Sequence, residues 1–69
     1  PFTHQLATMI EAGLPISQAL RTLAKQQKSY AFRNVIEDLH NRVQRGQPLA
    51  EAMAQHPNVF DKMYLRLVA

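Results

Sequence analysis

Sixty-nine residues with 46% hydrophobic side chains and a net charge of +3 allow one small folded domain and exclude a disordered chain. The absence of cysteine excludes disulfides and thiolate metal sites, and it suits a cytoplasmic setting. No apolar run exceeds three residues, so nothing here reads as a membrane span, and no charged segment leading into an apolar one reads as a signal peptide.

The first segment places Phe2, Leu6, Met9 and Ile10 on one stripe, which predicts an amphipathic helix over about 2–12. Gly13 follows as a C-cap, since glycine reaches the left-handed conformation without a Cβ clash. Pro15 then stands at the first turn of a second helix, where a missing N–H costs nothing. That helix, about 15–27, carries Ile16, Ala19, Leu20, Leu23 and Ala24 at helical spacing. Ser29 can cap a third helix, about 30–45, in which Phe32, Val35, Ile36, Leu39 and Val43 repeat on one side. Within it, Arg33 and Glu37 form an i,i+4 pair worth at most a few tenths of a kcal/mol. Gly46 closes this helix and Pro48 opens a fourth, about 48–56, with Leu49, Ala52 and Met53 inward. Pro57 is expected to stop it, and a fifth helix, about 60–69, carries Phe60, Met63, Tyr64, Leu67 and Val68. No segment alternates with period two, so the expected fold is all-α.

The two corners are spelled alike. Gly13-Leu14-Pro15-Ile16-Ser17-Gln18-Ala19-Leu20 returns 33 residues later as Gly46-Gln47-Pro48-Leu49-Ala50-Glu51-Ala52-Met53. In each copy glycine ends a helix, one residue turns, and proline begins the next helix. Small Ala19 and Ala52 let helix backbones approach, and their larger neighbours fill the seam. A period of 33 is near that of tetratricopeptide and ankyrin repeats, but two copies are too few for a solenoid, and the aromatic signature positions are missing.

Charge is concentrated in the middle. Arg21, Lys25, Lys28, Arg33, Arg42 and Arg45 stand against only Glu37 and Asp38, leaving residues 21–45 four charges positive and the remainder one negative. Such a stretch suits an acidic protein, an anionic lipid surface or nucleic acid, and its plainer reading is a solvated helix face. A helix-turn-helix regulator is the alternative, because residues 11–20 superficially resemble its turn. Against it, Pro15 is unusual there, and the following helix is too apolar to read a DNA groove. Catalysis has little to build on. The five carboxylates are scattered, Glu37 and Asp38 face different ways, and neither Ser17 nor Ser29 lies in a glycine-flanked elbow. His4 and His40 fall on or beside apolar stripes, where partial burial is the expectation, and His56 precedes a proline at a capping place. No catalytic, cofactor or metal residue is assigned.

The stretch Phe2-Thr3-His4-Gln5-Leu6-Ala7-Thr8-Met9-Ile10-Glu11-Ala12-Gly13-Leu14-Pro15-Ile16 resembles the opening of the cytoplasmic domain in inner-membrane platform proteins of type II secretion and type IV pilus systems, the GspF/PilC family. Gly46-Gln47-Pro48-Leu49 and Pro57-Asn58-Val59-Phe60 match its later pattern, so the resemblance covers nearly the whole chain. His4 departs from it, standing where the family often carries arginine. The run Phe60-Asp61-Lys62-Met63-Tyr64-Leu65-Arg66-Leu67-Val68 looks more like pilus-type members.

The resemblance implies an antiparallel bundle of about six helices, a non-enzymatic role, and a place between the assembly ATPase and the membrane machinery. The parent would then be an integral protein of the bacterial inner membrane, and this domain would lie on its cytoplasmic face. The chain begins at Pro1 without Met and stops within Leu67-Val68-Ala69, so it reads as a piece truncated before the sixth helix. Apolar faces left open would favour self-association, as a dimer or with helices exchanged, at roughly 25 cal/mol per Å2 covered. On the solvent side of the third helix, Arg33, Glu37, His40, Asn41 and Arg45 form the expected partner-binding face. Gly13, Pro15, Gly46 and Pro48 are the expected structural corners.

Overall fold

The computed structural model describes residues 2–61. Helices α1 (Phe2–Glu11), α2 (Ile16–Lys25), α3 (Tyr30–Gln44) and α4 (Leu49–Ala54) follow in order, and residues 57–61 begin a fifth, α5. No strand occurs among the described residues, and the fold is an all-α bundle. α2 and α3 make the most extensive contact, with α1 on α2 and α4 on α3.

The apolar stripes explain that arrangement. α2 buries Ala19, Leu20, Leu23 and Ala24, and α3 buries Ile36 and Leu39. Leu20, Leu23, Ile36 and Leu39 have no exposed surface and are the largest fully buried side chains. Burying each contributes about 1.5–3 kcal/mol. Ala19 and Ala52 are also fully buried, in keeping with a seam built on small side chains.

Phe2 closes the bundle at the start of α1. Its ring meets Phe32 of α3 edge-on at 5.5 Å and 84°, and Phe60 of α5 at 6.2 Å and 42°. Such aromatic pairs add about 0.5–1.5 kcal/mol beyond the area they bury. Three segments distant in sequence thereby share one cluster.

The repeated octapeptide is a repeated geometry. Gly13 has φ +96° and Gly46 φ +98°. At the first corner Leu14 N donates to Met9 O at 3.1 Å and Gly13 N to Ile10 O at 3.0 Å. At the second, Gln47 N donates to Arg42 O and Gly46 N to Val43 O, both at 3.0 Å. These are the paired bonds of a Schellman motif, which satisfy carbonyls that a helix end leaves unpaired. The prolines match as well, with φ −58° and ψ 141° at Pro15 and φ −60° and ψ 145° at Pro48. Each proline carbonyl accepts the first bond of the next helix, from Ala19 N and from Ala52 N, both at 3.0 Å.

Four details differ from the sequence reading. Pro15 and Pro48 sit at the N-cap rather than in the first turn, because their extended ψ lies outside the helix while the ring still fixes φ. Pro57 opens a helix instead of only ending one: the chain turns helical at residue 57, and His56 O accepts from Val59 N and Phe60 N. Ile10 is 42% exposed, since it falls at the edge of the α1 stripe that Phe2 and Leu6 centre on the core. His4 is exposed, not partly buried, because it lies off that stripe. Met63, Tyr64, Leu67 and Val68 lie outside the described residues.

The seam and the corners make different demands on a substitution. Leu23→Ala is expected to cost about 2–5 kcal/mol, a large part of the roughly 3–10 kcal/mol available to a domain of this size. Nothing lies within 4 Å of a Cβ built at Gly13, so Gly13→Ala is expected to cost only the backbone penalty of about 1–2 kcal/mol. Ile10→Ala is expected to stay within about 0.5 kcal/mol. Urea denaturation of the three variants checks that order, and equal losses would contradict it.

Candidate functional site

α3 carries two polar sides, because Glu37 and Asp38 are adjacent in sequence and so about 100° apart around the helix. Glu37 faces a groove between α2 and α3, and Asp38 faces the junction of α4 and α5.

The groove has a volume of about 350 Å3. Arg33, Glu37, His40 and Asn41 line its α3 side, and Arg21, Ala24 and Lys25 line its α2 side. Four of the five residues expected at a partner face therefore come together. Arg45 does not join them: it is the exposed C-cap of α3, and its backbone N–H turns back to the carbonyls of Asn41 and Arg42, both at 3.2 Å. Inside the groove Arg33 Nε donates to Glu37 Oε1 at 3.3 Å, with both side chains roughly half exposed. His40 Nδ1 lies 3.3 Å from Asn41 Oδ1.

The α2 wall was missed from sequence. Arg21 and Lys25 are one turn apart on the solvent side of α2, and both are exposed. Among the described residues neither pairs with a carboxylate, whereas Arg33 and Arg42 both do. The i,i+4 spacing of Arg21 and Lys25 was the available signal. Their meeting with α3 depends on how the two helices pack, which spacing alone does not give.

The second side is an ion-pair cluster. Arg42 Nε donates to Asp38 Oδ2 at 2.7 Å, and His56 Nε2 lies 2.6 Å from the same oxygen. The His56 contact joins residues 18 apart and ties α3 to the turn between α4 and α5. The Arg42 hydrogen bond, and then the His56 bond, hold the Asp38 carboxyl below its ordinary range, against a smaller opposing effect of burial. His56 thus serves as a tertiary tie as well as the residue before a helix-opening proline. No group of three His, Asp or Glu side chains with metal-binding geometry occurs among the described residues.

The family model for type II secretion system (T2SS) protein F matches residues 2–69. The chain belongs to the type II secretion system protein F family. It is 44% identical over 68 residues to a type IV pilus assembly protein PilC from Myxococcus xanthus, covering 99% of this chain and 16% of that protein. It is 37% identical over 67 residues to a type II secretion system protein F from Aeromonas hydrophila, covering 97% of this chain and 17% of that one. Against a PilC of Thermus thermophilus it is 37% identical over 67 residues, with 97% and 16% covered. The chain thus spans about a sixth of the length of these family members. The family match leaves the helix-turn-helix reading without support. No described helix is long and apolar enough to cross a membrane.

The Asp38 cluster predicts a pH dependence of defined sign. A carboxyl whose folded pKa is depressed contributes stability above its unfolded value of about 3.9 and loses it as pH falls through the folded value. Asp38 and Arg42 are each about a third exposed, so Asp38→Asn is expected to cost only about 0.5–1 kcal/mol at neutral pH. That difference should shrink as pH falls below the unfolded value and on through the folded one, as denaturation of both proteins across the acid range would show. A difference independent of pH over that range would rule out the ionised carboxylate as its source.

Proposed function

We propose that this chain is a non-enzymatic cytoplasmic domain of an inner-membrane platform component in type II secretion or type IV pilus assembly. It links the cytoplasmic assembly ATPase to the membrane machinery. The observation that carries the reading is the family match along residues 2–69, with relatives named for both systems. The geometry supports it. A part that passes on force needs stiff joints, and both corners fix their glycine, their proline and two capping hydrogen bonds in the same way. It also needs a face that packing leaves free, and Arg33, Glu37, His40 and Asn41 of α3 lie along such a groove. Arg45 extends that face at the C-terminal end of α3.

Self-association belongs to the same reading. Ile10, exposed at the edge of the α1 stripe, is an apolar side chain that a second copy would cover. Light scattering at high concentration is expected to show a dimer or larger species, and a monodisperse monomer would contradict that part.

Photocrosslinking in the intact parent protein tests the partner. A crosslinker replacing Glu37 or Asn41 is expected to capture the assembly ATPase in cells, and one replacing exposed Gln5 of α1 is not. Arg33→Glu combined with Arg45→Glu should abolish secretion or piliation with the protein level unchanged. Unimpaired assembly in that variant, or capture from Gln5 alone, would refute the α3 face.

A further inference from the structure

We infer that the groove between α2 and α3 is a docking site for an acidic polypeptide segment, whose carboxylates seat among Arg21, Lys25 and Arg33. The inference rests on the partner-facing reading of α3 and names the chemistry of what binds there.

Charge placement is the first support. Arg21 and Lys25 form one wall and have no carboxylate partner among the described residues. Arg42, by contrast, is held by Asp38 on the other side of α3. On the groove's opposite wall, Arg33 meets Glu37 through one contact of 3.3 Å in a half-exposed setting. Such a pair holds its partners weakly, so an incoming carboxylate can share or replace Glu37 as the acceptor. A volume of about 350 Å3 accommodates one or two carboxylate side chains. Guanidinium groups suit that ligand because they bind carboxylates through paired N–H donors.

Two observations favour a polypeptide over a phosphate-bearing surface. Glu37 stands inside the groove and would repel a continuous array of phosphates, whereas a peptide can place its charges away from it. Tyr30, 81% exposed, lies on the stripe of α3 that continues through Arg33 and Glu37. An exposed tyrosine beside arginines is the combination that anchors protein interfaces, the ring supplying apolar area and the guanidinium supplying direction.

The probe is a fluorescein-labelled oligoglutamate peptide, compared with an oligoglutamine peptide, inorganic phosphate and phosphatidylglycerol vesicles. Titrations use the 69-residue chain near physiological salt, with circular dichroism confirming that each variant is folded. Oligoglutamate is expected to bind and to shift amide resonances around residues 21–25 and 33–41, while oligoglutamine does not. Arg21→Glu with Lys25→Glu should weaken it about tenfold. Lys28→Glu with Thr3→Glu and Gln5→Glu, at exposed positions away from the groove, lowers the net charge by the same amount and should weaken it less than about twofold. No binding, equal weakening by the two sets of substitutions, or binding to vesicles or phosphate in preference to the peptide would overturn the inference. The two readings fail separately. Groove-directed peptide binding without ATPase capture in cells would sink the proposed ATPase link alone, and ATPase capture without groove-directed peptide binding would sink this inference alone.

Discussion

The contact between α2 and α3 is the constraint on which the rest depends. Leu20 and Leu23 on one helix and Ile36 and Leu39 on the other have no exposed surface, and both α1 and α4 attach to this pair. α1 lies on α2 and α4 on α3, so neither would hold its place if the hairpin opened. The groove has the same dependence, because its two walls are the outer faces of the helices that the seam joins. A small domain has few places to concentrate its stability, and this one concentrates it under its candidate binding face.

Around that seam the polar groups divide their roles. Asp38, Arg42 and His56 satisfy one another and pull the α4–α5 turn onto α3. Arg33 and Glu37 pair loosely, and Arg21 and Lys25 stay unpaired by carboxylates among the described residues. The tied side holds α4 and α5 onto α3, and the untied side leaves its cationic groups exposed. One helix serves both because successive residues point in different directions. The basic character visible in composition is thereby sorted into structural and available charge.

Sequence revealed the helices and corners well, for physical reasons that residues make plain. Ala19, Leu20, Leu23 and Ala24 repeat at helical spacing, and all four are buried. Gly13 and Gly46 occur where helices must end, and both adopt positive φ. Less legible was anything set by long-range packing. That His56 would reach Asp38 across 18 residues depends on where the α4–α5 turn falls, and Pro57 opening a helix moved that turn. Likewise, Arg33, Glu37, His40 and Asn41 could be grouped from α3 alone, but Arg21 and Lys25 became their neighbours only through the hairpin. Spacing along one helix is local information; a groove between two is not.

The central claim, that α2 and α3 form one cooperative unit supporting everything else, is tested most directly by native-state hydrogen exchange. Amides of Leu20, Leu23, Ile36 and Leu39 should all exchange with the free energy and denaturant dependence of global unfolding, above those of α1 and α4. Exchange from α2 through an opening that leaves α3 protected, or the reverse, would contradict it.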